Sequence, residues 1–234
     1  MRIALIPARG GSKRIPKKNI RVFCGAPMIS YSIRAAQASG LFDRIVVSTD
    51  SEEIADIARE SGALVPYMRP AELSDDFATT LDVLQHAVSE EDKTNSASAL
   101  ESLCCLYATA PFVTAADLIR GEAVLSSGDA PYVFSATEYA FPVQRAFKRD
   151  AGGRAALLFP EHEGTRSQDL TPTFHDAGQF YWCRPEAIRK SLPILAGAEP
   201  LMVDRRRVQD IDTPDDWAYA EAMFKLLQAE ENGK

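Results

Sequence analysis

The sequence has 234 residues, 46% of them hydrophobic, and a formal net charge of −7 at pH 7. This size and composition suit one globular domain, and no apolar run reaches the roughly 20 residues that a membrane-spanning helix needs. The acidic balance argues against a nucleic-acid-binding protein, because such domains usually carry a basic patch or a high pI. The first residues form a strand pattern and not an apolar leader, so we expect a cytoplasmic protein that has no membrane partner.

Short apolar runs alternate with amphipathic segments along most of the chain. Strands are predicted at 2–7, 44–49, 102–107, 132–136, 177–183 and 200–203, and helices at 27–40, 50–62, 80–91, 114–128, from 185 onward and at 213–227. Polar loops are predicted at 67–73 and 92–101. This alternation predicts right-handed βαβ units, and therefore one α/β domain over 1–234 with a mostly parallel sheet.

The four cysteines lack the spacing of a metal site. Cys104 and Cys105 are neighbours within a strand pattern, so their side chains should face opposite sides of the sheet. We expect reduced thiols that are mainly buried.

A strongly basic segment follows the first strand. Between Arg9 and Arg21 there are six basic residues and no acidic one, and Gly10 and Gly11 lie at its start. Paired glycines let the backbone approach a ligand and direct N–H groups at it, and Arg and Lys donate strong hydrogen bonds to phosphate. We therefore predict a polyphosphate-binding loop; a solvated loop or a nucleic-acid patch are the alternatives. Neither the G-x-G-x-x-G nor the P-loop spacing is present, which disfavours an NAD oxidoreductase.

Two acidic residues near the end of the chain form a second candidate site. Asp210 and Asp212 project to one face of an extended segment, while Ile211 turns toward the core. Two carboxylates together with substrate phosphates are a typical environment for Mg²⁺. Helix capping is the alternative for Asp212, but it does not explain Asp210. Asp50, after the second strand, is either a helix cap or a site residue.

The regular alternation stops between residues 138 and 175. Short strand-like pieces at 143–148 and 155–159 are separated by glycines and a polar run. We predict an inserted arm that contacts substrate and a second copy of the chain.

Several blocks of the sequence resemble the cytidylyltransferases that activate acidic sugars, the family of CMP-sialic acid synthetases. The blocks occur in the family's order and span most of the chain: 6–14 with Lys18 and Asn19, 48–50, 69–73 and 210–212. The resemblance implies a Rossmann-like, three-layer αβα nucleotidyltransferase fold with a dimerisation arm. It also implies a Mg²⁺-dependent homodimer that joins CTP to the anomeric hydroxyl of a nonulosonic acid and releases pyrophosphate.

The resemblance also implies roles for individual residues. Arg9, Lys18 and Asp212 would be catalytic, and Asp210 and Asp212 would hold the metal. The nucleotide would be bound by Ala8, Arg9, Gly10, Gly11, Ser12, Lys18, Asn19, Arg69 and Thr80, with Arg69 and Thr80 at the cytosine.

One departure from the family pattern bears on the sugar. Where sialic acid enzymes have a glutamine after the third strand, this chain has Tyr107. Together with residues 144–147, 165–170 and 174–178, this resembles more closely the branch that acts on pseudaminic acid. We assign the sugar carboxylate to Arg166, by bidentate pairing, and the rest of the sugar to Tyr107, Gln168, His175 and Tyr181, although His175 is equally explained as structural. The alternatives are N-acylneuraminate or another ulosonic acid as substrate, or a non-catalytic nucleotide-binding protein on the same fold.

Overall fold

The computed structural model describes residues 1–94 and 99–233, so the middle of the loop predicted at 92–101 lies outside the described residues. The strands are β1 (Arg2–Pro7), β2 (Val22–Phe23), β3 (Ala26–Pro27), β4 (Arg44–Ser48), β5 (Ser102–Leu106), β6 (Tyr132–Glu138), β7 (Phe147–Arg149), β8 (Ala155–Leu157), β9 (Phe174–Cys183) and β10 (Glu199–Met202). The helices are α1 (Met28–Ser39), α2 (Glu52–Glu60), α3 (Thr80–Thr94), α4 (Ala115–Ser127), α5 (Pro185–Arg189) and α6 (Pro214–Asn232).

Six strands form the central sheet, in the order β10-β6-β9-β5-β1-β4. The pairs β1–β4, β1–β5 and β10–β6 are parallel, whereas β9 is antiparallel to both β5 and β6. The sheet is therefore mostly parallel, as predicted. The long return through the arm between β6 and β9 allows β9 to enter the sheet in the opposite direction.

Helices cover both faces of this sheet, which confirms the three-layer αβα architecture. One core cluster joins the sheet to α1, α2 and α4, and a second joins it to α3 and α5. Cys104 packs in the first cluster and Cys105 in the second, as their adjacent positions predicted. All four cysteines are free thiols, and only Cys24 is not fully buried.

Three helix N-termini form where the sequence predicts them, whereas α3 and α6 continue to Thr94 and Asn232, past the predicted ends at 91 and 227. Ser51, Thr114 and Thr213 accept hydrogen bonds from the first turns of α2, α4 and α6, and the last two complete capping boxes with Asp117 and Asp216. Within the described ranges, no helix is both long enough and apolar enough to cross a membrane.

The segment between β6 and β9 differs in part from its prediction. The piece predicted as a strand at 143–148 begins as a short 3₁₀ turn, Val143–Arg145, because Pro142 fixes the backbone before it and leaves no donor for a ladder. The strand starts only at Phe147 and pairs with β8 as a small antiparallel hairpin. Residue 174 already belongs to β9, so the sheet resumes three residues earlier than predicted. That this segment contacts substrate and a second copy of the chain stays a prediction.

Candidate active site

A cavity of about 480 Å³ opens at the carboxyl ends of β1 and β5. This is the edge at which open α/β sheets generally bind their ligands. Eight of the predicted site residues line it: Arg9, Ser12, Lys18, Asn19, Arg69, Thr80, Tyr107 and Asp212. The front of the chain and its last quarter thus contribute to one site.

Apolar packing beneath the cavity brings these distant segments together. Ile15, in the middle of the basic segment, and Ile211, between the two aspartates, are each 1% exposed and belong to one core cluster with Trp217 of α6. Burial of two isoleucine side chains stabilises this arrangement by about 3 kcal/mol or more. The charged neighbours of both isoleucines are consequently held at the same surface.

The basic loop contacts one of the two acids, Asp212. Lys18 Nζ lies 3.1 Å from Asp212 Oδ1 and donates a 2.6 Å hydrogen bond to the carbonyl of Ile211. Arg14 binds the other oxygen of Asp212 at 2.7 Å. The Asp212 carboxylate is thus held by two cations, while its backbone N–H donates to Asp216 of the α6 capping box.

A second carboxylate, which sequence reasoning missed, faces the basic loop from the other side. Asp76 lies 2.9 Å from Arg9 Nη1 and also pairs with Lys13. The hydrogen bond from Lys13, more than its charge, lowers the pKa of Asp76. Arg9 also donates to the carbonyl of Asp75 at 2.6 Å. The only sequence signal was a pair of acids shortly after the block at 69–73.

The glycines at the start of the loop are not directed at the cavity. The N–H of Gly10 donates to Asp50 Oδ1 at 2.8 Å, and a Cβ on Gly10 would lie 3.1 Å from Ser51 Cβ. Ala8, Gly10 and Gly11 are not among the cavity-lining residues, and Ala8 is buried. Asp50 therefore anchors the loop to α2 and does not cap that helix. Asn19 braces the same loop by donating to the carbonyl of Arg9 at 2.9 Å.

Asp210 lies beside Asp212 but is not among the residues that line the cavity. Burial and then the charge of Asp212 raise the pKa of Asp210. A divalent cation near both carboxylates would relieve this repulsion. Among the described residues there is no group of three or more acidic, His or Cys side chains that would hold a metal alone. The two carboxylates, Asp210 and Asp212, therefore suit a Mg²⁺ ion that takes its other ligands from the phosphates of a substrate.

The lining of the cavity also includes a buried cation, Arg69. Arg69 is 6% exposed, and its Nε and Nη2 atoms have no hydrogen-bond partner within the described chain. Burial lowers the pKa of its guanidinium, against the attraction of Asp50. Buried donors of this kind are costly unless a ligand satisfies them. Thr80 also lines the cavity, and its hydroxyl lies 2.8 Å from that of Tyr107.

Of the residues predicted to bind the sugar, only Tyr107 lines the cavity. Its ring lies 5.5 Å from that of Tyr181, whose hydroxyl donates to Asp176. His175 Nδ1 lies 2.8 Å from the carbonyl of Asp176. Arg166 and Gln168 are exposed on the segment between β8 and β9. The assignment of these residues to the sugar stays a prediction.

A partly buried ion pair between Arg207 and Asp117 holds the segment that carries the two aspartates. Arg207 forms two hydrogen bonds with Asp117, one of them at 3.1 Å, and its carbonyl accepts from the buried Gln179. Asp117 is 2% exposed. Residues 207 and 117 are far apart in sequence and share no motif, so this contact was not predicted.

The chain is similar in sequence and in fold to known proteins. A family model described as cytidylyltransferase matches residues 3–147. The chain is 39% identical over 225 residues to a pseudaminic acid cytidylyltransferase of Campylobacter jejuni, with 96% of each chain covered. It is 33% identical over 235 residues to a CMP-N,N′-diacetyllegionaminic acid synthase of Legionella pneumophila, with 97% of each covered. A solved structure of a CMP:2-keto-3-deoxy-manno-octonic acid synthetase complexed with CTP superposes with a TM-score of 0.69 at 18% identity, over 98% of this chain and 99% of that one. That likeness confirms the Rossmann-like nucleotidyltransferase fold.

Proposed function

The chain belongs to the cytidylyltransferase family, as the resemblance predicted, and on that premise we propose that it couples CTP to pseudaminic acid. The observation that carries the proposal is the contact of Lys18 with Asp212, which joins the basic loop to an acid 194 positions away inside one cavity. Such a site combines cations for a triphosphate with a carboxylate for its metal. The similarity to a pseudaminic acid cytidylyltransferase supports this sugar over other nonulosonic acids.

In the proposed reaction the anomeric hydroxyl oxygen of the sugar attacks the α-phosphorus of CTP in line. The bond from that phosphorus to its bridging oxygen breaks, pyrophosphate leaves, and the hydroxyl proton passes to Asp212 or to solvent. The protein contributes mainly position and charge. Arg9 and Lys18 exchange their carboxylate partners for phosphate oxygens, and the unpaired donors of Arg69 bind an oxygen of the cytosine.

Asp210 and Asp212 are the residues that would hold Mg²⁺. The ion would neutralise phosphate charge and acidify a bound hydroxyl. Binding of the triphosphate would draw Arg14 and Lys18 away from Asp212 and so free its carboxylate.

We further propose that the chain forms a homodimer in the cytoplasm through the segment between β6 and β9. This segment exposes large apolar side chains that a monomer leaves in water: Tyr139 (44%), Phe141 (81%), Phe147 (58%) and Leu158 (51%). An apolar patch of this kind is typical of an interaction surface. Light scattering on the purified protein would test it, since a monomeric mass would contradict the proposal.

The function is tested by incubating the protein with CTP, Mg²⁺ and one of three sugars: pseudaminic acid, N,N′-diacetyllegionaminic acid or N-acetylneuraminic acid. We expect pyrophosphate release and a CMP conjugate, fastest with pseudaminic acid. Faster turnover of either other sugar would reassign the substrate, and no product from any of them would favour a non-catalytic nucleotide-binding protein.

The metal role is tested with Asp212→Asn, and Asp215→Asn serves as the matched control because Asp215 is an exposed acid three positions away on α6. We expect Asp212→Asn to lose Mg²⁺-dependent turnover while its circular dichroism spectrum is retained. The control should remain active. Near-normal activity of Asp212→Asn would refute the metal role.

A further inference from the structure

One residue of the basic loop has a backbone conformation that its residue type rarely adopts. Lys17 has a φ of 55°, in the left-handed region, where the Cβ of an L-residue lies too close to a carbonyl oxygen. It follows Pro16, and the N–H of Lys18 donates to the carbonyl of Ile15 at 3.2 Å. Proline in the second position and a positive φ in the third are typical of a type II turn, which favours glycine or asparagine in that third position.

Contacts on both sides hold this strained residue in place. The carbonyl of Lys17 accepts hydrogen bonds from the N–H groups of Ile20 and Arg21, each at 2.9 Å. Its ammonium group donates to Glu53 Oε1 at 2.7 Å. Unfavourable backbone conformations persist only where the surrounding structure imposes them, and they concentrate at functional sites.

The start of α2 holds the basic loop at two points. Glu53 binds Lys17 in the second half of the loop, and Asp50, just before the helix, accepts from the N–H of Gly10 at the beginning of the loop. The helix is itself fixed, because Ile54 is 3% exposed and belongs to the core cluster that joins α2 to the sheet. Both halves of the loop are thus attached to one packed helix.

Lys17 does not belong to the group of cations that face the cavity. Four of the six basic residues of the loop line it: Arg9, Lys13, Arg14 and Lys18. The side chain of Lys17 is instead paired with α2 and is 64% exposed. Its contribution to the site is therefore through the backbone of the turn and not through a contact with the ligand.

The backbone of Lys17 sets the direction of the residue that follows it. Lys18 Nζ donates to the carbonyl of Ile211 at 2.6 Å and lies 3.1 Å from Asp212 Oδ1. A return of Lys17 to the usual φ of about −60° would rotate the chain by about 115° around one bond. This rotation would carry Lys18 away from both partners.

We propose that Lys17 and Glu53 are positioning residues of the nucleotide site, which hold the turn so that the ammonium group of Lys18 faces the triphosphate. The inference rests on the proposed function, because it requires Lys18 to bind a phosphate. Without the ion pair to Glu53, the turn populates right-handed conformations for part of the time, and Lys18 is then out of place.

The test measures the dissociation constant of CTP by calorimetry in the presence of Mg²⁺, without sugar and without turnover. Lys17→Met and Glu53→Gln each remove the ion pair, and we expect each to weaken CTP binding about two- to fivefold, as for the loss of an exposed pair. The double variant should bind no more weakly than either single variant, because both changes break the same contact. A lysine that attracted the phosphates by its own charge would behave differently, since Glu53→Gln would free it and tighten CTP binding.

Lys17→Asn separates the role of the backbone from that of the charge. Asparagine and methionine are both uncharged, but asparagine adopts the left-handed conformation far more readily. We expect Lys17→Asn to bind CTP at least about twofold more tightly than Lys17→Met. Equal dissociation constants for the two variants would overturn the inference, because the backbone would then play no part.

Glu52→Gln is the matched control. Glu52 is the exposed neighbour of Glu53 in the first turn of α2, and its carboxylate lies 3.8 Å from Arg59 of the same helix. We expect this variant to keep the wild-type dissociation constant of CTP. A loss as large as that of Glu53→Gln would show a general effect of charge on α2 and would overturn the inference.

The outcomes separate the inference from the function on which it rests. A wild-type protein that does not bind CTP would overturn both. A wild-type protein that binds CTP, together with Lys17→Met and Glu53→Gln at the same dissociation constant, would overturn the inference alone and leave the function standing. Tighter binding by Glu53→Gln would also overturn it and would make Lys17 a direct ligand of the phosphates.

Discussion

The ion pair between Asp117 and Arg207 predicts how firmly the acid-bearing segment is attached to the fold. Asp117→Asn keeps the shape of the side chain but removes its charge, and places an amide donor against the guanidinium. Breaking a fully buried ion pair costs about 3–5 kcal/mol. The Arg207 side chain is 21% exposed and is partly solvated, so we expect a smaller loss, about 2–3 kcal/mol, which is typical of hydrogen bonds to charged groups.

The measurement is urea unfolding followed by circular dichroism. With a slope of about 3 kcal/mol per molar for a domain of this size, the midpoint should fall by about 0.7–1 M at unchanged slope. Asp56→Asn is the control, because Asp56 makes a 2.9 Å ion pair with Arg59 on the surface of α2 and is 68% exposed. Its midpoint should move by less than about 0.2 M, since such exposed pairs contribute little.

The pH dependence gives a second check with a defined sign. Burial by itself would raise the pKa of Asp117, but the hydrogen bonds from Arg207 and Thr114 outweigh it, and the net pKa is lowered. A carboxyl whose pKa is lower in the folded state adds stability above its unfolded pKa, about 3.9, and loses it as the pH falls through the folded value. The difference between wild type and Asp117→Asn should therefore be constant from pH 7 to about pH 5 and shrink below about pH 4. Equal midpoints at pH 7 would refute the reasoning.

Three further variants test other parts of the site and the fold. Asp76→Asn frees Arg9 from a competing carboxylate, so the KM for CTP should fall about two- to fivefold; a rise would show that Asp76 itself contributes to binding. Arg166→Ala should raise the KM for the sugar far more than that for CTP in steady-state assays, and equal effects would reject its assignment. Gly121→Ala places a Cβ 2.7 Å from Trp182 Cδ1, so α4 must shift. We expect the free energy of unfolding to fall by about 1–3 kcal/mol and the melting temperature by about 3–10 °C. An unchanged melting curve would contradict this packing.

Local patterns were sufficient to predict most of the secondary structure. Ser51, Thr114 and Thr213 act through neighbours three positions away, so their caps are visible in the sequence. The basic loop could be found because six basic residues cluster in an acidic chain, and Asp212 because it and Asp210 lie two residues apart in an extended segment. The strand predicted at 143–148 failed in its first half, where Pro142 fixes the backbone before the 3₁₀ turn Val143–Arg145.

Contacts between distant segments were beyond such patterns. The sequence of β9 is compatible with either direction, but only the antiparallel one sets Tyr181 opposite Cys105 and so beside Tyr107. The pairing of Asp76 with Arg9 depends on the path of a loop that carries no motif. Each of these contacts depends on the direction of a strand or the path of a loop, and neither can be predicted from the residues next to it in the sequence.

The ion pairs around the cavity also bear on the order in which ligands bind. On the proposed function, Asp212 has two competing roles, since Arg14 and Lys18 hold it in the ligand-free protein and a divalent cation requires it in the complex. A cation that arrives alone must displace two positive side chains and gains one free carboxylate beside Asp210, whose pKa is already raised by burial and by Asp212. A triphosphate gives those side chains stronger partners and brings phosphate oxygens of its own. The same exchange releases Arg9 from Asp76. On the proposed function, nucleotide binding therefore both completes the metal site and breaks the ion pairs that compete with the phosphates for Arg9, Arg14 and Lys18.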